Sequence, residues 1–129
     1  RIDVEPGCEG LQIPKLSLLT FVENACLHGV SRKENHGWIF VRVRRQNGQA
    51  LLEVEDTGVG MPEEQQELLE ERMNQADIEM LKQRGHIGMI NACLRLKKVS
   101  GGRARFTVES EENIGTTITI ILKEARDEE

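Results

Sequence analysis

Tyrosine is missing from this sequence, and its aromatic side chains are Phe21, Trp38, Phe40 and Phe106, 3% of 129 residues. A core built from it has to be aliphatic, and there is little surface on which nucleic-acid bases could stack. Positive charge is also in short supply. Seventeen basic against 22 acidic side chains leave a formal net charge of −5, which with so few aromatics excludes a nucleic-acid binder. No apolar run approaches the roughly 18 residues needed to cross a bilayer, and no signal-peptide pattern opens the chain, so direct membrane contact is not expected. The three cysteines, Cys8, Cys26 and Cys93, are odd in number, far apart and without a C-x-x-C pair. That excludes a disulfide framework or zinc knuckle and suggests a reducing, cytosolic setting. Cys26 and Cys93 fall among apolar neighbours on expected helices and read as small buried hydrophobes. The chain opens on Arg1 and is expected to be a piece of something longer.

What is present suits a folded domain. The chain is 38% hydrophobic and 30% charged, a globular balance, and its length suits one domain with a single two-layer core. Ile2 and Val4 alternate with polar residues before the Pro6-Gly7 turn. Leu16, Leu19, Val22, Cys26 and Val30 recur at helical spacing and predict a helix over 15–28, opened near Pro14 and ended by Gly29. From Trp38 the period becomes two: Ile39, Val41 and Val43 share one face, Arg42 and Arg44 the other. Asn47-Gly48 is a two-residue hairpin turn, and 50–56 is the return strand. There Leu52, Val54 and Asp56 share a face, and an acid facing the core at a strand end needs an explanation.

Residues 62–84 are highly charged, with a thin apolar stripe of Leu68, Leu69, Met73, Ile78, Met80 and Leu81. Such a segment reads as partly helical and as a lid over a ligand. Gly85 and Gly88 lead into a helix whose buried stripe is expected at Met89, Cys93, Leu96 and Val99 or Ser100, with Gly101-Gly102 ending it. Two strands, 104–109 and 116–123, follow, the second with Ile118, Ile120 and Leu122 inward. The fold class is α+β: a two-layer sandwich in which a mixed, mostly antiparallel sheet is covered on one face by helices.

Four segments carry possible chemistry. Thr20, Asn24 and His28 are spaced i, i+4, i+8 and make a polar stripe on an otherwise apolar helix; alone, this is also what a solvated face looks like. Asp56-Thr57-Gly58-Val59-Gly60-Met61-Pro62 places two glycines after a strand-end acid, which suits either an ordinary turn or close approach of a ligand. His86-Ile87-Gly88-Met89-Ile90-Asn91 opens a helix, whose free N–H groups suit phosphate. Gly115-Thr116 opens the last strand.

In that order and spacing, the four segments resemble the catalytic ATP-binding domain of sensor histidine kinases, within the superfamily shared with gyrase, heat-shock chaperone and mismatch-repair ATPases. Ile13-Pro14, Val22-Glu23-Asn24-Ala25 and His28-Gly29 look like the asparagine box of the LytS/YesM type. Residues 56–62 look like the first glycine box, and 86–91 with Arg95-Leu96 like the second. The resemblance implies a Bergerat-type ATP-binding fold with its core at 13–123, an ATP lid at 61–85 and a frayed tail at 124–129. It also implies ATP and Mg²⁺ as ligands. Asn24 would offer its side-chain oxygen to Mg²⁺. Asp56 would accept a hydrogen bond from the adenine amino group, assisted by Thr116, while Gly58, Gly60 and Met61 let the backbone pack against base and sugar. Gly88 would help hold the phosphates. Asn24, Glu23 and His28 form the candidate catalytic set.

Departures from the pattern are Leu18-Leu19-Thr20 where Leu-Gln-Pro is usual, Leu27 where Lys is usual, and His86 in a glycine's place. Arg72, Lys82 or Arg84 could supply the missing phosphate-facing charge. The activity implied is transfer of the ATP γ-phosphate to a histidine on a separate dimerisation domain, with a response regulator downstream. The parent would be a homodimer anchored in the bacterial inner membrane, with this domain on the cytoplasmic side. Two alternatives stand beside it. One is an ATP hydrolase of the gyrase or chaperone kind, although the position of its water-activating Glu is Thr20 here, and Glu23 points elsewhere. The other is a nucleotide-binding or docking module without kinase activity.

Overall fold

A computed structural model describes residues 1–6, 15–26, 37–76 and 87–123. Its elements are β1 (Ile2–Val4), α1 (Lys15–Asn24), β2 (Ile39–Gln46), β3 (Gln49–Asp56), α2 (Glu63–Asn74), α3 (Ile87–Val99), β4 (Ala104–Glu111) and β5 (Gly115–Lys123). The strands form one sheet in the order β1-β2-β3-β5-β4. All pairings are antiparallel except β1 with β2. The expected α+β sandwich is therefore what forms, with the three helices packed on the sheet's apolar face.

Register explains that face. Val41, Val54, Ile118 and Val108 stand in one row across the sheet, and Val43, Leu52, Ile120 and Phe106 in the next. All eight are buried. Asn47 and Gly48 turn β2 into β3 with φ of 51° and 75°, the left-handed pair that a tight hairpin requires. The opposite face is solvated. There Arg42 lies between Glu53 and Glu55 and over the Phe40 ring, while exposed Trp38 stacks on Phe40 at 6.2 Å.

The helix α1 is rotated from its expected orientation. Phe21 and Ala25 are buried and Leu18 packs beside them, while Leu19 and Cys26 are exposed. Leu16's side chain, with residues 27–30, lies outside the described residues. Both apolar stripes have helical spacing; the one carrying the large Phe21 ring wins. That ring stacks on Phe106 of β4 at 6.5 Å and removes far more apolar area from water than Leu19 would. In α3 the expected Met89, Cys93 and Leu96 are buried, but Val99 is 59% exposed. Gly101 and Gly102, both at positive φ, donate to the carbonyls of Lys98 and Lys97 and close the helix as left-handed caps do.

The first half of the expected lid belongs to the sandwich. Leu69, Met73 and Ala76 join the core, and the polar side of α2 binds the free edge of β4. Gln66 accepts the Ser110 N–H at 3.2 Å and donates to the Val108 carbonyl at 3.0 Å. Glu70 accepts the Val108 N–H at 3.1 Å. Asn74 accepts the Phe106 N–H at 2.9 Å and donates to the Phe106 carbonyl at 2.7 Å. Four helical residues rise about 6 Å and two strand residues about 6.8 Å, so these three rungs stay in step. Lys97 of α3 donates to the carbonyls of Asn74 and Ala76 and closes the end of α2, where the helix dipole favours a cation. Of the segment expected as a lid over 61–85, the part at 63–76 is the packed helix α2 and its end, and 77–86 lies outside the described residues.

Two outcomes follow. Asn74→Ala leaves the Phe106 edge groups without their partner and should cost about 1–2 kcal/mol in urea unfolding, whereas exposed Gln65→Ala on the same helix should stay within about 0.5 kcal/mol. Burial pushes the Cys93 thiol from its ordinary 9.0 up to about 12, with Lys97 pulling the other way. The stability linked to that proton is full below pH 9 and is lost as pH climbs towards 12. Iodoacetamide at pH 8 should therefore modify Cys26 and spare Cys93 until the chain is unfolded, as peptide mapping would show.

Candidate functional site

The apolar face of the sheet ends on a polar row. One step beyond Val54 and Ile118, register sets Asp56 beside Thr116 and Thr116 beside Ser110. Asp56 is 7% and Thr116 9% exposed, the two buried polar residues in the described part of the chain. Because α1 buries Phe21 and Ala25, Asn24 between them is carried over this row. The result is a shallow cleft open to solvent. Its floor is Phe21, Val54 and Ile118, its polar groups are Asn24, Asp56 and Thr116, and Gly60 and Met61 stand at its rim. An apolar slot with a few convergent polar groups is the usual form of a small-molecule site.

The loop after β3 is fastened on three sides. Asp56 Oδ1 accepts the Gly58 N–H at 2.9 Å, an Asx turn that holds the carboxylate. The Thr57 N–H donates to the Trp38 carbonyl at 3.0 Å, and the Trp38 N–H returns to Thr57 Oγ1 at 2.8 Å. On the other flank the β4–β5 turn grips the loop. The Asn113 N–H donates to the Val59 carbonyl at 2.7 Å, and the Met61 N–H to Ser110 Oγ at 2.9 Å. Gly60 has φ of 66°, and a Cβ on it would overlap the Glu111 carbonyl; Gly115 has φ of 148°, and a Cβ there would overlap the Asp56 carbonyl. Both positions need glycine for conformation and for space.

Residues 14–126 match the family described as Histidine kinase-, DNA gyrase B-, and HSP90-like ATPase. The chain belongs to that family. It is 32% identical over 105 residues to the signal transduction histidine-protein kinase ArlS of Staphylococcus aureus (strain USA300), a match covering 81% of this chain and 22% of that protein. The chain thus spans about a fifth of the length of the curated relative. Its fold is that of histidine kinase catalytic domains. The catalytic domain of histidine kinase ThkA superposes with a TM-score of 0.65 at 17% identity, over 96% of this chain and 79% of that one. The Erythrobacter litoralis EL346 blue-light activated histidine kinase gives 0.63 at 19% identity, over 99% and 36%.

Within this ATPase domain the structure brings Asn24, Asp56, Gly60, Met61 and Thr116 to one cleft. Gly58 is buried beneath it and acts through Asp56. Gly88 begins α3 opposite Thr20, whose Cγ2 a Cβ on Gly88 would meet at 3.7 Å, and does not line the cleft. Glu23 is exposed and outside the cleft. Neighbouring helical residues point about 100° apart, which separates it from Asn24. His28, His86, Lys82 and Arg84 lie outside the described residues. Among the described residues no three His, Cys, Asp or Glu side chains gather as a metal site. An ion that arrives on phosphates needs only one or two protein oxygens, and the Asn24 carboxamide fits that need.

Sequence reasoning missed Ser110, because it ended the strand at Glu109. The signal was there in the parity of Ala104, Phe106 and Val108, which puts Ser110 on the inward face. The two glycines offer a direct test. Gly48→Ala, at φ 75° with open space around it, should cost about 1–2 kcal/mol for the left-handed backbone alone. Gly60→Ala should cost about 1–3 kcal/mol more for overpacking against Glu111, and chemical denaturation of the two variants side by side measures the difference.

Proposed function

We propose that this domain binds ATP, carried with Mg²⁺, in the cleft above the Asp56–Thr116 row, and presents its γ-phosphate to a histidine on a separate dimerisation domain of a two-component sensor kinase. The observation that carries the reading is the buried carboxylate of Asp56, held by Gly58 and open to the cleft beside Thr116 and Asn24. A carboxylate in that position accepts a hydrogen bond from an exocyclic amine, and a buried acceptor rejects a base that presents oxygen there. Adenine fits, and guanine does not. Asn24, one wall away, is the residue that would hold Mg²⁺ on the phosphates. Phosphoryl transfer asks chiefly for positioning and charge neutralisation, so the domain need not supply the acceptor.

Two further residues weigh the kinase reading against hydrolysis. The hydrolases of this superfamily resemble this chain in their asparagine box, but they carry a general-base Glu where this chain has Thr20, whose hydroxyl cannot do that work at neutral pH. Glu23 is turned to solvent. In this reading the ATP lid falls within 61–85, Gly88 helps hold the phosphates, and His28 joins Asn24 in the candidate catalytic set. The spelling Val22-Glu23-Asn24-Ala25 with His28-Gly29 supports the LytS/YesM type. The acceptor histidine, a response regulator, a homodimeric parent and its anchorage in the bacterial inner membrane belong to the same proposal. No described helix is long and apolar enough to cross a membrane.

Calorimetric titration with ADP and Mg²⁺ tests the pocket. Wild type should bind ADP in preference to GDP, and Asp56→Asn should lose at least tenfold in affinity, since a hydrogen bond to a charged group is worth about 1.5–3 kcal/mol. Equal affinity of the variant, or indifference between ADP and GDP, overturns the reading. With ATP alone the chain should hydrolyse slowly, and a labelled histidine should appear only when its dimerisation domain is added.

A further inference from the structure

The Ser110 hydroxyl has three polar neighbours beside the cleft. It accepts the Met61 N–H at 2.9 Å, lies 2.8 Å from Thr116 Oγ1, and reaches the Gly115 carbonyl at 3.0 Å. Its own backbone N–H is held by Gln66 of α2. A serine hydroxyl has one proton and two lone pairs. With Met61 donating to it, two places remain for three possible exchanges with Gly115 and Thr116. When Ser110 donates to the Gly115 carbonyl, Thr116 donates to Ser110 and offers lone pairs to the cleft. When Ser110 donates to Thr116, the Thr116 proton is left for the cleft. Either way the Thr116 hydroxyl is fixed by Ser110, and so is the loop residue at the cleft's rim.

We propose that Ser110 is a positioning residue of the nucleotide pocket: it ties the Met61 amide to the Thr116 hydroxyl and so sets the hydroxyl that stands beside Asp56 in the strand register. The assignment rests on the nucleotide reading above. Ser110 need not touch the nucleotide. It acts through Thr116 and Met61, both of which line the cleft. The hydroxyl joins the loop after β3 to the start of β5, and the backbone N–H of the same residue binds Gln66 of α2. A free threonine rotor would have to be ordered on binding, and that ordering costs affinity; the serine orders it beforehand.

The test is calorimetry with ADP and Mg²⁺ on wild type, Ser110→Ala, Ser110→Thr, Thr116→Ala, the Ser110→Ala/Thr116→Ala double variant, and Asp56→Asn as the control for the pocket. Ser110→Ala should bind about tenfold more weakly, Ser110→Thr should recover to within about threefold, and the loss caused by the serine change should shrink once Thr116 is alanine, with only the part exerted through Met61 remaining. That non-additivity separates a role through Thr116 from general loosening. Exchange of the Met61 amide with solvent should quicken in Ser110→Ala and return in Ser110→Thr, with the thermal midpoint little changed. If Ser110→Ala fails to fold, Ser110→Cys, with a weaker acceptor of similar shape, should show the same pattern at smaller size. Wild-type affinity in the alanine variant, or a loss that persists undiminished on the Thr116→Ala background, overturns the assignment while leaving the pocket standing. An Asp56→Asn chain that binds like wild type brings down the pocket reading, and the role of Ser110 with it.

Discussion

A carboxylate at the end of a buried strand face is the constraint around which this domain is arranged. Burying Asp56 is costly unless its oxygens are met by donors, and the surrounding sequence can be understood as meeting that demand. Gly58 supplies an N–H two residues on. Gly115, without a side chain, lets β5 lie against the Asp56 carbonyl, and β5 then delivers Thr116 alongside. Gly60 bends the loop tightly enough for the β4–β5 turn to hold it from the other flank. The glycines that suggest a ligand in the sequence thus serve the protein's own backbone first, and the cleft is what their packing leaves open.

The second arrangement is the pairing of α2 with the edge of β4. An open strand edge invites another strand, and here Gln66, Glu70 and Asn74 occupy it with side-chain groups in place of a backbone. The same contact packs the first half of a segment that looks like a lid against the sheet. It also links α2 to Ser110, so the polar stripe of the helix is connected by hydrogen bonds to the rim of the cleft.

The strands could be read in the sequence because alternation and Asn47-Gly48 specify faces and register together, and Asp56 drew notice because it kept the parity of Leu52 and Val54. The face of α1 could not be read so. Leu19, Val22 and Cys26 have the same spacing as Leu18, Phe21 and Ala25, and only the size of Phe21 and its partner Phe106 across the sandwich decide between them. In α2 the residues that look solvated are bonded to a strand 32 to 44 positions away, which no local pattern reveals. The motif residues Asn24, Asp56 and Thr116 were legible as a set before any of them was legible singly, because their order along the chain carried the information that each short motif lacked.

The described polar groups of the cleft bear on what it would do with a nucleotide. Positioning ATP requires an acceptor for the base and an oxygen for the phosphate-borne metal, and the chain has candidates for both in Asp56 and Asn24. Activating water would require a base aimed at the γ-phosphate. The position one helical turn before Asn24 is Thr20, and Glu23 is rotated into solvent. A domain that has the first two groups, and no such base among its described residues, would hold ATP with little hydrolysis, so that the nucleophile can come from elsewhere. Such a domain gains from a cleft whose polar groups are set before the nucleotide arrives, because little of the binding energy is then spent on ordering its own side chains. Ser110, fastened between α2, the loop and Thr116, is the side chain best placed to provide that order.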